Sequence, residues 1–235
     1  VPEDIIVYKK PNELSGLIAK TFEGKICQHS DLSHLARQYP MELAYALSLI
    51  RTDDKTSIHP AWLLKNFPHL ESVITQLRST PCKQGCTYCR EYLDVRRGLK
   101  NFFGFDQFRT YDGEPLQEKA ARAAGLGDSL LAIFPTGGGK SLTFQLPALM
   151  AGEANRGLTV VLSPLQSLMK DQVDQLHHKG FAEVVTINGL LNPLEKKESY
   201  DQICNGNASL LYIAPESLRS RTLKKVLLTR RIERI

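Results

Sequence analysis

The run Phe134-Pro135-Thr136-Gly137-Gly138-Gly139-Lys140-Ser141 holds residue types that can grip a polyphosphate. Consecutive glycines let backbone N–H groups turn inward around phosphate oxygens, and a following helix aims the positive end of its dipole at them. Lys140 would neutralise charge on the terminal phosphates, and the Ser141 hydroxyl would hold Mg²⁺. The strict pattern G-x-x-x-x-G-K-[ST] asks for glycine at 134, where this chain has Phe134. A flexible glycine hinge that happens to precede a lysine is the competing reading. The flanks decide against it. The apolar run Ser129 to Phe134 comes before the loop and the helical pattern Leu142 to Met150 comes after. Strand, turn and helix all stand where phosphate binding needs them.

A second cluster is made of thiols. Cys82, Cys86 and Cys89 are spaced C-x₃-C-x₂-C, with Gly85 to help the turn. That pattern reads as metal ligands, with Cys27 or His29 as a fourth. Zn²⁺ and a [4Fe–4S] cluster both suit the chemistry, and the spacing does not choose between them. Buried or incidental cysteines are the bland alternative. The chain has five cysteines, an odd count that argues against a disulfide framework. Cys204 falls in a helical pattern and reads as structural. His34, His59, His69, His177 and His178 have no partner motif and read as ordinary surface or core residues.

These residues need a scaffold. From about residue 126, strand and helix patterns alternate. Apolar runs at 129–134, 158–163, 182–187 and 209–214 are continuous, as in parallel strands buried on both faces. Helical patterns lie at 141–151, 166–179, 193–205 and 215–229, with Pro164 and Pro215 just past strand ends. This rhythm predicts a doubly wound α/β fold with ligands at the strand carboxyl ends. Before residue 100 the chain differs. One apolar stretch, Asp4 to Tyr8, is followed by short helical segments punctuated by Pro40, Pro60, Pro68 and Pro81. Pro40 to Ile50 and Pro68 to Leu77 show helical spacing. The division expected is a small, mostly helical accessory domain over 1–98 carrying the cysteine cluster, then an α/β lobe over 99–235, joined at about 90–105.

Three further segments sharpen the reading. They are Leu99 to Arg109 followed by Gln117-Glu118-Lys119-Ala120, then Val160 to Gln172, then Leu210 to Leu218. Together with the loop Pro135 to Ser141, they resemble the adenine-reading motif and motifs I, Ia and Ib of RecQ-family DNA helicases. The resemblance covers roughly residues 99–235 and implies an incomplete RecA-like first helicase lobe. It assigns ATP binding to Arg109, Gln117, Thr136, Gly137, Gly138, Gly139, Lys140 and Ser141, with Lys140 and Ser141 serving catalysis. A glutamine amide donates and accepts together, so it suits the N6/N7 edge of adenine, and a planar guanidinium stacks on the ring. In the family the arginine and glutamine stand closer together; here Thr110 to Leu116 intervene.

The resemblance also assigns contacts to a translocating single strand to Ser163, Pro164, Gln166, Ser167, Pro215 and Ser217. Backbone N–H groups and hydroxyls at such strand ends suit phosphate oxygens, although ordinary helix capping explains the same residues. What the resemblance implies is an ATP- and Mg²⁺-dependent helicase moving 3′ to 5′ in replication, repair or recombination. A non-translocating ATP-dependent DNA-binding module is the alternative. A radical SAM enzyme shares the cysteine spacing but needs a β/α barrel, for which helical segments before and this lobe after leave no room.

Hydrolysis calls for an Asp-Glu-Ala-His segment after an apolar strand, and the chain contains no Asp-Glu pair. Arg231 to Ile235 resembles the first residues of that strand. The expectation is therefore a lobe that stops before that motif, lacks the second RecA-like lobe, and binds ATP without hydrolysing it.

At 235 residues, 42% hydrophobic and 23% charged, the chain has the composition of a globular protein with one large or two modest domains. The net charge of +5 permits a polyanion such as DNA without demanding one. Basic clusters at Arg90 to Lys100 and Arg219 to Arg234 read equally as solvated helix faces. No apolar run reaches the roughly 18 residues a membrane helix needs, and the first residues carry no basic or apolar leader pattern. A cytoplasmic setting is the expectation; the sequence is silent on oligomeric state.

Overall fold

The computed structural model describes residues 11–52, 63, 66–82 and 84–235. The apolar stretch Asp4 to Tyr8, Pro60 and His59 lie outside the described residues. Helices α1 (Pro11–Thr21), α2 (Leu32–Gln38), α3 (Pro40–Thr52) and α4 (Leu70–Arg78) form the first layer. Asp31 starts α2 by accepting the His34 N–H at 2.8 Å, and Pro40 opens α3. Their apolar faces close on one core that includes Ile18, Ile26, Leu35, Ala46, Leu70, Val73 and Leu77.

Two more helices lead into the lobe: α5 (Thr87–Tyr92) and α6 (Val95–Phe103). The Asp94 carboxylate caps α6 by accepting the N–H groups of Arg96 and Arg97, and Gly104 ends it at φ +71°. Most of the expected junction at 90–105 is thus helical. Val95 and Leu99 pack against Leu146 and Met150.

The lobe continues with α7 (Leu116–Leu126), α8 (Leu142–Asn155), β1 (Leu158–Leu162), α9 (Gln166–His178), β2 (Val184–Ile187), α10 (Pro193–Cys204), β3 (Leu210–Ile213), a 3₁₀ turn (Pro215–Arg219), α11 (Arg221–Leu227) and β4 (Ile232–Arg234). The strands form one parallel sheet of order β2-β3-β1-β4. Side-chain alternation divides its faces. Leu211 and Ile213 pack with Ile203, Leu223 and Val226 of α10 and α11. Leu210 and Tyr212 pack with Leu149, Met169, Val173 and Leu176 of α8 and α9. Cover on both faces explains the continuous apolar runs.

Two expected elements differ. The run 129–134 is not a strand: it joins no ladder among the described residues. Leu131 is 87% exposed and Ile133 80%, while Phe134 is buried. Apolar composition favours burial, but a strand exists only where a neighbour takes its N–H and C=O groups. The helix expected over 215–229 is broken at Ser220, whose extended backbone and hydroxyl start α11 by accepting the Leu223 N–H.

The first helices and the lobe meet through a polar node. Arg230, its side chain fully buried, donates Nε–H to the Glu71 carboxylate at 3.0 Å. Its other nitrogens donate to the carbonyls of Ile203 and Arg156, and Glu71 also accepts the Arg231 N–H at 2.7 Å. Beside it, the Asn155 amide donates to Thr75 Oγ1 at 2.8 Å and to the Glu233 carboxylate at 3.1 Å.

Candidate nucleotide and nucleic-acid site

The loop 134–141 leads into the N-terminus of α8. Gly137 and Gly139 sit at φ +73° and +71°, backbone that side chains resist. Gly138 needs to lack a Cβ for a different reason, since one there would stand 2.8 Å from the Pro135 carbonyl oxygen. Lys140 folds back to donate to the Phe134 carbonyl at 3.1 Å. Ser141 stands at the N-cap of α8 and makes no capping hydrogen bond with its hydroxyl. Thr136 is exposed.

All three glycine carbonyls are held by residues of 109–117. Arg109 Nη1 donates to Gly137 O at 2.8 Å, the Tyr111 hydroxyl donates to Gly138 O, and Gln117 Nε2 donates to Gly139 O at 2.9 Å. With the carbonyls held, the loop's N–H groups are what it can offer an anion, apart from that of Gly138, which donates to Pro135 O at 3.0 Å. Gln117 is buried, and its Oε1 accepts the Arg109 N–H at 2.8 Å. An amide nitrogen has two protons and an amide oxygen two lone pairs, so each atom keeps capacity for one further partner. Arg109 is exposed.

Tyr111 is a residue the sequence reading missed. It lies in the stretch separating Arg109 from Gln117, and that stretch folds as a tight hairpin. Tyr111 and Glu114 exchange backbone bonds at 2.9 and 2.8 Å around Asp112 and Gly113, at φ +50° and +80°. Asp-Gly with positive φ at both positions is the signature of a type I′ turn, and that dipeptide was the signal available. The Tyr111 ring packs 5.1 Å from Phe134, the residue that replaces the pattern's first glycine. The carboxylate of Glu118, next to Gln117, is held below its ordinary range by a hydrogen bond from Arg96 of α6. Lys140 and Ser141 are thus placed together with Arg109 and Gln117.

The residues assigned to a strand of nucleic acid gather at the carboxyl ends of β1 and β3. The Ser163 hydroxyl accepts the Leu165 N–H at 3.4 Å, the local cap expected of it. Gln166 Nε2 donates to the Glu216 carboxylate at 3.4 Å, and the Ser217 hydroxyl donates to Ile187 O at 3.5 Å. Pro164, Ser167 and Pro215 are exposed. A groove of about 270 Å³ is lined by Gln166, Asn188, Lys196, Ser217 and Ser220 among others. Asn188, Lys196 and Ser220 are polar lining residues that no sequence motif flagged. The basic clusters supply less: Arg96, Arg97 and Lys100 each pair with a carboxylate, and Arg230 is buried.

The structure brings the thiols of Cys27, Cys82, Cys86 and Cys89 into one cluster sealed by Tyr88. All are free. Donor atoms of Cys27, His29, Cys82 and Cys86 lie within 4.8 Å of one another. The Cys82 thiol is pulled down to about 6, first by the Cys86 N–H donated to its sulfur, whereas burial pushes Cys27 and Cys89 up. Cys204 lies apart and accepts a weak bond from Thr229, as a structural residue would. His177 bonds Val184 O and His69 packs on Tyr39, ordinary packing roles.

A parallel sheet covered on both faces, with a glycine-rich loop entering a helix N-terminus, defines a phosphate-binding α/β lobe. The DEAD/DEAH box helicase profile matches residues 114–234. The chain belongs to the DEAD/DEAH box helicase family. It is 41% identical over 136 residues to the ATP-dependent DNA helicase Q5 of Rattus norvegicus, covering 57% of this chain and 13% of that protein. The ATP-dependent DNA helicases RecQ of Synechocystis and Haemophilus influenzae are 38% and 39% identical over 133 and 124 residues. Those matches cover 57% and 53% of this chain and 26% and 18% of the relatives, so the chain spans about a quarter of the length or less in each. No described helix is long and apolar enough to cross a membrane.

Proposed function

We propose that this chain is the ATP-binding part of a RecQ-like helicase that moves 3′ to 5′ along one DNA strand and opens the duplex ahead of it. The observation that carries the reading is the loop whose three glycine carbonyls are all held from behind by Arg109, Tyr111 and Gln117. Its N–H groups and the start of α8 would take the phosphates, Lys140 would swing from Phe134 O to the β/γ oxygens, and Ser141 would hold Mg²⁺. Adenine would meet the remaining donor and acceptor capacity of Gln117 and stack on Arg109. A DNA strand would cross Ser163, Pro164, Gln166, Ser167, Pro215 and Ser217 through its phosphates, with no reading of sequence. The setting is cytoplasmic in this reading, and the thiol cluster holds an inorganic centre, Zn²⁺ or [4Fe–4S], that is structural.

Without an Asp-Glu pair to orient water, the chain binds ATP and does not turn it over. Equilibrium binding of a fluorescent ATP analogue tests this: the wild-type chain binds with Mg²⁺, and Lys140→Ala loses most of that affinity. DNA-stimulated ATP turnover by the chain alone would refute the binding-only part. For the longer protein, unwinding of a forked duplex with a 3′ tail is expected. ATP-dependent DNA binding without unwinding would establish a non-translocating module instead.

A further inference from the structure

The cysteine cluster serves no step of nucleotide or strand binding, yet its geometry is more specific than its spacing. The sulfurs of Cys27 and Cys86 stand 3.9 Å apart, too far for a disulfide. A tetrahedral ion with Zn–S bonds of about 2.3 Å requires sulfurs roughly 3.8 Å apart. Side-chain contacts link every other pair of the four thiols as well. A [4Fe–4S] cube sets each thiolate on a separate iron at an outer corner, which spreads the sulfurs well beyond one ion's shell. The thiols therefore fit a single ion and are too close for a cube.

Two backbone bonds add to this. Cys86 N–H points at Cys82 Sγ at 3.3 Å, and Cys82 N–H points at Cys89 Sγ at 3.4 Å. Peptide N–H groups aimed at sulfur stabilise metal-bound thiolates. His29 competes with Cys89 for the fourth place, since its ring lies within 4.8 Å of the donors of Cys27, Cys82 and Cys86; but His29 is exposed, whereas Cys89 is buried and contacts all three of those cysteines. A tetrahedral shell has four places, and the buried thiols of Cys27, Cys86 and Cys89 with the half-buried Cys82 fill them.

Resting on the reading that the thiols hold an inorganic centre, we infer that Cys27, Cys82, Cys86 and Cys89 bind one Zn²⁺, with His29 as an outer hydrogen-bond donor to the thiolates. Four protein ligands leave no open position, so the ion is structural. It joins the segment after α1, which Cys27 N–H ties to Leu77 O at 2.8 Å, to the start of α5. From α5 the chain runs directly into α6, whose Val95 and Leu99 pack on the phosphate-loop helix α8. Zinc thus fixes the base on which that helix is seated.

The test is metal and sulfide analysis of the whole chain, purified without oxygen from medium containing both zinc and iron. About one zinc per chain and no acid-labile sulfide are expected. Co²⁺ exchanged into the site should give the intense visible bands of a tetrahedral thiolate complex. His29→Ala should preserve those bands and Cys89→Ala should shift them. Should Cys89→Ala fail to fold, titration of the Cys204→Ser chain, whose only thiols are the four of the cluster, with a mercurial replaces it: zinc release should need four thiols. Iron with sulfide would overturn the zinc assignment while leaving an inorganic centre in place. No bound metal and no Co²⁺ spectrum would overturn both. A spectrum altered by His29→Ala but not by Cys89→Ala, or release after three thiols, would overturn the four-thiol set.

Discussion

The buried amide of Gln117 donates to the Gly139 carbonyl at 2.9 Å while its oxygen accepts the Arg109 N–H at 2.8 Å. One side chain thereby fixes both the phosphate loop and the strand of chain that carries the arginine. Gln117→Glu is the informative substitution, because a carboxylate still accepts from Arg109 but meets Gly139 O with like charge. A hydrogen bond contributes about 0.5–1.5 kcal/mol, and a buried group facing the wrong partner costs more. ATP affinity is expected to fall roughly tenfold or more in Gln117→Glu, and further than in Gln117→Ala. Titration of a fluorescent nucleotide checks it. A Gln117→Glu chain that binds as well as wild type would show that the loop does not depend on this amide.

Tyr111 supports the same loop one residue earlier. Tyr111→Phe removes only the donor to Gly138 O and keeps the ring against Phe134. The expected loss is within about 0.5–1.5 kcal/mol, a fewfold to tenfold weaker nucleotide binding, with little change in melting temperature. Deleting Asp112 and Gly113 would break the turn that delivers the hydroxyl and should weaken binding at least as much.

Glu71 and Arg230 are 159 residues apart in sequence and form the ion pair between the first helices and the lobe. Arg230 is fully buried, so Glu71→Ala leaves a cation without its carboxylate. Breaking such a pair from one side costs about 3–5 kcal/mol. At about 2–4 °C per kcal/mol for a chain of this size, thermal unfolding should shift down by roughly 6–20 °C. The double variant Glu71→Leu with Arg230→Met should recover part of that loss, since apolar replacement of both partners removes the stranded charge.

What the sequence made legible is what local pattern controls. Strands at 158–162, 184–187 and 210–213 followed from apolar runs that both helix layers cover. The loop followed from three glycines and a lysine between an apolar run and a helix. What stayed hidden depends on partners far along the chain. Nothing near Glu71 marks it as the mate of Arg230, and the composition of 129–134 says nothing about whether a ladder neighbour is there. Gln117 was marked for adenine by the resemblance, but its burial could not be read locally because it comes from contact with the glycine loop. The Asp112-Gly113 turn was readable, but not which carbonyl Tyr111 would reach. The cysteine spacing pointed to metal ligands without separating one ion from a cube, because only the sulfur separations carry that information.

Gly152 and Gly98 offer a paired test of how tightly α8 is seated. Alanine at either helical position gains about 1 kcal/mol of intrinsic propensity over glycine. At Gly152 the new Cβ would stand 2.0 Å from Ser209 Oγ and 2.4 Å from Ser209 Cβ. The hydroxyl can rotate away but the Cβ cannot, so α8 must lift from the start of β3. Overpacking of that kind costs about 1–3 kcal/mol, and the clash outweighs the propensity. At Gly98 the Cβ would meet Met150 Sδ at 2.6 Å. A methionine has three rotatable bonds and can swing aside. Denaturant unfolding should therefore show Gly152→Ala destabilised by up to about 2 kcal/mol and Gly98→Ala changed by less than about 1 kcal/mol. Adding Ser209→Gly to Gly152→Ala removes the obstructing Cβ and should restore part of the loss. Equal loss in both single variants, or no recovery in the double, would mean that α8 is held by something other than this contact.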